Sequence, residues 1–154
     1  MRFLKERTER GAAIAEFAPA LFILLVCALL PVLDLIFDGL AYSSCVSLNN
    51  LQLREAVKVP KSQASDPKGT VQLAIPNNWR ASLLGWLAPL VQDPTTDVSY
   101  DISNGNAYVV VATSLSVNPM ITVPFFPNVP GLSAPMLFTV SSNRLIENPR
   151  FLNY

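Results

Sequence analysis

Between Phe17 and Leu33 the chain reads FAPALFILLVCALLPVL, a run without a single charge. Asp34 interrupts it, and LIF follows before Asp38. Counted to Leu33, or across Asp34 to Phe37, the run makes about 26–32 Å of helix at 1.5 Å per residue. A hydrocarbon core is about 30 Å thick, so a membrane-spanning helix is the reading this implies. The alternative is a buried core helix, but a soluble domain of this size seldom buries a helix that is apolar all round. Composition points the same way. Apolar residues make up 51% of the chain and charged residues 14%, against roughly 25% charged in an ordinary soluble domain.

The flanks set a direction. The leader MRFLKERTERG carries Arg2, Lys5, Arg7 and Arg10 against Glu6 and Glu9, and the far side has Asp34 and Asp38 but no cation until Arg54. Lysine and arginine mark the cytoplasmic side. The N-terminus is therefore expected inside and the C-terminal part outside the cytoplasm. A secretory signal peptide is a competing reading, but its apolar core is shorter, roughly 7–15 residues, and ends at a small-residue cleavage site. AYS before Ser44 offers such a site, yet two aspartates precede it. A lipoprotein signal ending at Cys45 has Tyr42 where a leucine is usual. A third reading puts processing ahead of the apolar run, at Gly11.

Several classes of chemistry lack their residues. The chain has no histidine, which removes histidine acid–base catalysis and histidine metal ligation. Its formal net charge is zero, so no basic field for nucleic acid is implied. Cys27 and Cys45, if on one helix, stand about 27 Å apart, too far for a disulfide, and no partner ligands suggest a two-cysteine zinc site. No phosphate-cradling glycine loop or nucleophile–base set is visible. A serine nucleophile would need a lysine base, and SQAS near Lys58, Lys61 and Lys68 is too generic to indicate one. No enzyme, cofactor or metal is expected.

One acidic residue stands at the mouth of the apolar run: Glu16, in RGAAIAEFAPALF. An ionised group at a membrane edge is costly unless paired. Gly11, Ala12, Glu16 and the run from Phe17 onward resemble a type IV prepilin or pseudopilin. In that class a basic leader ends in glycine, a prepilin peptidase cuts before the helix, and the fifth residue of the mature chain is glutamate. The stretch RGAAIAEFAPALFILLVCALLPVLDLIFDGLAY looks most like the TadE-like pseudopilins of tight-adherence (Flp-type) pilus systems. Glu16 and Phe17 fall on the family's Glu-Phe, and Asp34 on its aspartate near the outer helix end. A β-rich stretch, a proline-rich loop and a strand ending in Arg-x-x-Glu, here Arg144 and Glu147, extend the likeness. Pro19 and Pro31 do not stand where the family's usual proline does, and residues 58–95 have no counterpart.

The resemblance implies cleavage between Gly11 and Ala12. The new ammonium at Ala12 then lies four residues from Glu16, whose carboxylate the helix macrodipole also favours. In an assembly Glu16 could pair with the Ala12 amine of a neighbouring subunit. The simpler alternative is a Glu16 that faces lipid headgroups. The implied partners are the membrane, a prepilin peptidase, other pilin-like subunits and the pilus assembly platform, and no nucleic acid. Asp34 and Asp38, four apart, share a helix face and repel; they either reach the outer interface or contact a partner helix. Pro31 removes a backbone bond and is expected to kink the helix.

Beyond Asp38 the helix is expected to run on as a stalk to about residue 57, with Leu40, Leu48 and Leu51 on one apolar face, and to end before Pro60. KSQASDPKG has the composition of a solvated loop, giving a loop over 58–76. In PNNWRASLLGWLAP, Trp79, Leu83, Trp86, Leu87 and Leu90 recur at helical spacing. Asn77 or Asn78 can cap the start, and Pro89 ends or kinks it. That helix either packs on a sheet or carries a tryptophan to membrane or partner. Val98, Tyr100 and Ile102 alternate, as do Ala107, Val109, Val111, Leu115 and Val117. Asn104-Gly105 between the two runs predicts a tight hairpin. MITVPFFPNVPG reads as an irregular loop, and APMLFTVSSNRLIE as a further strand. The expected fold is α+β: a leader over 1–11, a spanning and stalk helix over 12–57, and a small extracytoplasmic antiparallel sheet domain with one short helix over 77–154. The expected function is that of a pseudopilin-like minor subunit. The alternative is a single-pass envelope protein with a binding domain and an unprocessed anchor.

Overall fold

A computed structural model describes residues 15–103, 105–122, 125–146 and 148. Gly11, Ala12, Asn104 and Glu147 lie outside the described residues. The architecture is α+β, with one long helix and a three-stranded antiparallel sheet in the order β1-β2-β3. Helix α1 runs from Ala15 to Ala56, 42 residues, and is long and apolar enough to cross a membrane. Four-residue helix α2 spans Lys61–Ala64, α3 spans Ile75–Arg80 and α4 spans Leu83–Trp86. The strands are β1 (Thr95–Ser103), β2 (Asn106–Val117) and β3 (Met136–Leu145).

Among the described residues two wide π-helical turns occur, at Leu25–Leu29 within α1 and at Thr70–Ala74 leading into α3. Each ends two residues before a proline, Pro31 in one case and Pro76 in the other. A proline ring presses on the carbonyl four residues back and offers it no N–H. Shifting one turn to i→i+5 bonding, as in Leu30 N–H to Leu25 O, loosens that contact while the helix continues. The chain thus answers Pro31 with a widened turn inside a continuous helix.

The sheet forms as its alternation predicts. β1 and β2 are joined by a two-residue link, with Ser103 opposite Asn106 and Gly105 at φ +77°, a conformation glycine adopts freely. Val109, Val111, Thr113, Leu115 and Val117 point to one buried face of β2. Ile102, at the hairpin end, is exposed.

The helix covering that face is α1 itself. Its outer half is no free stalk: Leu48 and Cys45 share a cluster with Trp79, Ala88, Leu115 and Val117, and Leu53 and Ala56 share another with Val98, Val109, Val111 and Val71. The expected face of Leu40, Leu48 and Leu51 is corrected, because Leu40 and Leu51 are exposed. The buried stripe runs instead through Asp34, Asp38, Ala41, Cys45, Leu48 and Gln52, with Asn49 and Leu53 beside it. Steps of four and three keep one seam toward a neighbour. Apart from Leu48 and Leu53, the residues on it are small or polar, and they meet a strand and a loop at close range.

Three further expectations change. The 58–76 segment is mostly helical turns, since α2 and the π turn before α3 fall inside it. Asn77 and Asn78 do not cap a helix, since α3 is already under way at Ile75. The expected single short helix around the tryptophans is two, α3 and α4, broken at Ala81–Ser82. Gly85 lies against the backbone of Trp79 and Arg80, where any Cβ would collide. That close approach folds the second piece back on the first.

Candidate functional site

The first half of α1 has the length and composition shared by membrane anchors and signal sequences. From Ala15 to Leu33 no side chain is buried, and Phe17, Phe22, Ile23, Leu24 and Leu29 stand out to solvent. Glu16 and Phe17 lie on the first described turn, exposed, and Glu16 has no ion-pair partner among the described residues. The structure brings neither of them to the sheet. The Gly11–Ala12 junction is outside the described residues.

At Asp34 the environment changes within one turn. The backbone N–H of Ile121 donates to Asp34 Oδ1 at 2.9 Å. Asp34 is 1% exposed and Asp38 8%. Asp34 Oδ2 and Asp38 Oδ2 are buried without a hydrogen-bond partner among the described residues. Gly131, at φ +80°, sits so close to Asp38 Oδ2 that a Cβ there would overlap it. The aspartates were expected at the outer interface or against a partner helix; the structure places them under the chain's own proline-rich loop. The loop between β2 and β3 is a cover for the helix just where the exposed apolar half ends. It is held at its start by Asn118 N–H to Pro89 O, 2.8 Å.

A second set of residues escaped the sequence reading. Asn49 Nδ2 lies within hydrogen-bond distance of Val111 O (2.8 Å), Thr113 Oγ1 (3.0 Å) and Val140 O (3.1 Å). Gln52 Nε2 donates to Val71 O (2.9 Å) and Thr96 Oγ1 (2.7 Å), and Gln52 Oε1 accepts from Thr113 Oγ1 (2.7 Å). These three side chains tie α1 to all three strands and to the π turn at Thr70–Ala74. Asn49 Oδ1 is buried without a hydrogen-bond partner among the described residues, but the bonds through Asn49 Nδ2 and both ends of the Gln52 amide specify one seating of helix on sheet. The signal available in sequence was only the amide-rich stretch NNLQL, three amides in five residues.

The two thiols differ. Cys27 is exposed on the apolar half and Cys45 is buried, its Sγ 3.7 Å from Thr113 O. Burial pushes the Cys45 thiol up to about 11. Tyr100, whose hydroxyl is buried without a partner among the described residues, is also raised by burial.

The tryptophans part company as well. Trp79 is 3% exposed in the core, whereas Trp86 is 78% exposed. Arg144, of the Arg-x-x-Glu pattern, is exposed near the end of β3. Among the described residues no cluster of His, Cys, Asp and Glu has the make-up of a metal site. The chain matches no protein-family model, no curated protein and no solved structure.

Proposed function

We propose that this chain is a pseudopilin-like minor subunit of a tight-adherence (Flp-type) pilus system, a single-pass protein of the bacterial inner membrane and a substrate of a prepilin peptidase. One observation carries the reading. A single uninterrupted helix is bare and apolar over its first half and packed on a sheet over its second. A subunit that must sit in a bilayer and then stack its helix against others needs that division. The sheet domain stays outside the cytoplasm, in keeping with the basic leader and the absence of cations between Arg10 and Arg54.

The mechanism follows from charge. The peptidase cuts between Gly11 and Ala12 and frees an ammonium beside the apolar run. Glu16 pairs with that amine on a neighbouring subunit, which removes the cost of a lone carboxylate at the membrane edge and sets the register between helices. Phe17 and the exposed aliphatic residues after it supply the packing surface. The protein is not an enzyme in this scheme.

N-terminal sequencing of the protein from the membrane fraction, with and without an active prepilin peptidase, tests it. An Ala12 start that depends on the peptidase is expected. A Met1 start in both strains overturns the reading in favour of an envelope protein on an unprocessed anchor.

A further inference from the structure

The exposed Trp86 has no role in helix packing or in processing. Trp79 and Trp86 are seven apart and would share a face on one continuous helix. The break at Ala81–Ser82 turns Trp86 away from the core and into solvent. Ser44 Oγ donates to Leu84 O at 2.9 Å, which holds α4 alongside α1. Below that bond Trp86, Leu87, Pro89 and Met120 surround Phe37 of α1 in an open apolar hollow of about 210 Å³. Pockets for drug-sized ligands run from about 300 Å³ upward, so the hollow has room for a few methylenes only.

Its height along α1 gives it meaning. The uncharged run from Phe17 to Leu33 makes about 26 Å of helix, close to a hydrocarbon core of about 30 Å, and so the core ends near Asp34, where the loop first covers α1. Phe37 lies one turn beyond. The headgroup layer beyond adds roughly 5–7 Å, or about four more residues. The hollow and the indole beside it fall within that layer, continuous with the exposed apolar half of the helix. Tryptophan is the side chain that favours this boundary, with an apolar ring and one N–H to leave in the wet region. No charged residue lines the hollow.

We propose that the Trp86 hollow is a lipid-contact site, which seats the sheet domain on the outer headgroup layer of the bilayer. The proposal rests on the anchor reading of α1, and adds that the domain touches the membrane at a second point, the end of α4. It fixes how far the domain stands above the bilayer before any assembly.

The test uses the full chain in phosphatidylethanolamine–phosphatidylglycerol vesicles, with and without bromine near the headgroup end of the acyl chains. Trp79→Phe leaves Trp86 as the sole emitter, and Trp86→Phe leaves Trp79. Because Trp79→Phe touches the core, the wild-type spectrum minus that of Trp86→Phe supplies the same reading with the core intact. Protection of Cys27 from a water-soluble maleimide reports insertion separately. The expected result is loss of most Trp86 emission in brominated vesicles while Trp79 keeps its own. Unquenched Trp86 with Cys27 protected overturns the lipid contact and leaves the anchor standing. Cys27 that stays reactive overturns both.

Discussion

The N–H of Ile121 reaches across 87 positions of sequence to Asp34 Oδ1, at 2.9 Å, and so pins the loop between β2 and β3 to the helix at the end of its exposed apolar half. A carboxylate in that position faces neither lipid nor bulk water. The loop acts as its solvent, on one oxygen at least.

Removing that acceptor should free the loop. A hydrogen bond to a charged group contributes about 1.5–3 kcal/mol. Asp34→Ala is expected to lose stability of that order and to open residues 118–135 to protease. Asp34→Asn keeps an oxygen for Ile121 and loses the repulsion with Asp38, so it should remain resistant. Limited proteolysis of the detergent-solubilised protein distinguishes the two. Equal sensitivity in both variants would show that charge, and not the bond, holds the loop.

The clamp at Thr113 gives a second expectation. Thr113→Val keeps the shape of the side chain but leaves Gln52 Oε1 without its donor and Asn49 with one acceptor fewer. An unsatisfied buried polar atom costs about 1–3 kcal/mol. Denaturant melts should show a loss in that range for Thr113→Val, and much less for Ser114→Val on the opposite, accessible face.

Alkaline pH should weaken the domain. The folded-state value of Cys45 is raised to about 11 from 9.0, and that of Tyr100 is raised from 10.0. Both groups are neutral in the fold and ionise more readily when unfolded. Their contribution is complete below the unfolded values and is lost as pH rises through about 9 toward the folded ones. Stability measured against pH should therefore fall above about 9, first from Cys45 and then from Tyr100. Cys45→Ala should remove the early part of the fall. The same burial predicts that an alkylating reagent at pH 8 leaves Cys45 unmodified until denaturant is added.

The proposed charge pairing makes its own demand. Glu16→Gln leaves Gly11 and Ala12 untouched, so cleavage should proceed while surface appendages are lost. Counting appendages by electron microscopy beside N-terminal sequencing separates the two steps. Normal appendages on a Glu16→Ala strain would dismiss the pairing.

The parts of this fold legible in sequence are those built on local pattern. The long apolar helix, the alternation of β2, the two-residue link at Gly105 and the strand after Pro135 all follow from period and turn chemistry. The helix-to-sheet seam did not, because Asp34 and Asp38 read as residues of the outer interface or a partner contact, and Asn49 and Gln52 drew no reading at all. Their partners, Ile121, Val111, Thr113 and Thr96, lie roughly 45–90 positions away and cannot be found from spacing. The tryptophan segment misled for another reason. Helical spacing from Trp79 to Leu90 is real, but Gly85 lets the chain fold back at Ser82 and no periodicity records that. Glu16 and Phe17 were legible as candidates from charge and position, and their geometry is simply that of an exposed first turn.

The π turn at Leu25–Leu29 has a rotational consequence. It takes up one residue more than an α turn does, and each residue of an α-helix advances the azimuth by about 100°. Everything beyond Leu30, sheet included, is therefore swung about a quarter-turn around the axis relative to the face that carries Glu16. Were Pro31 absent and the turn regular, the same domain would look out in a different compass direction from the same root.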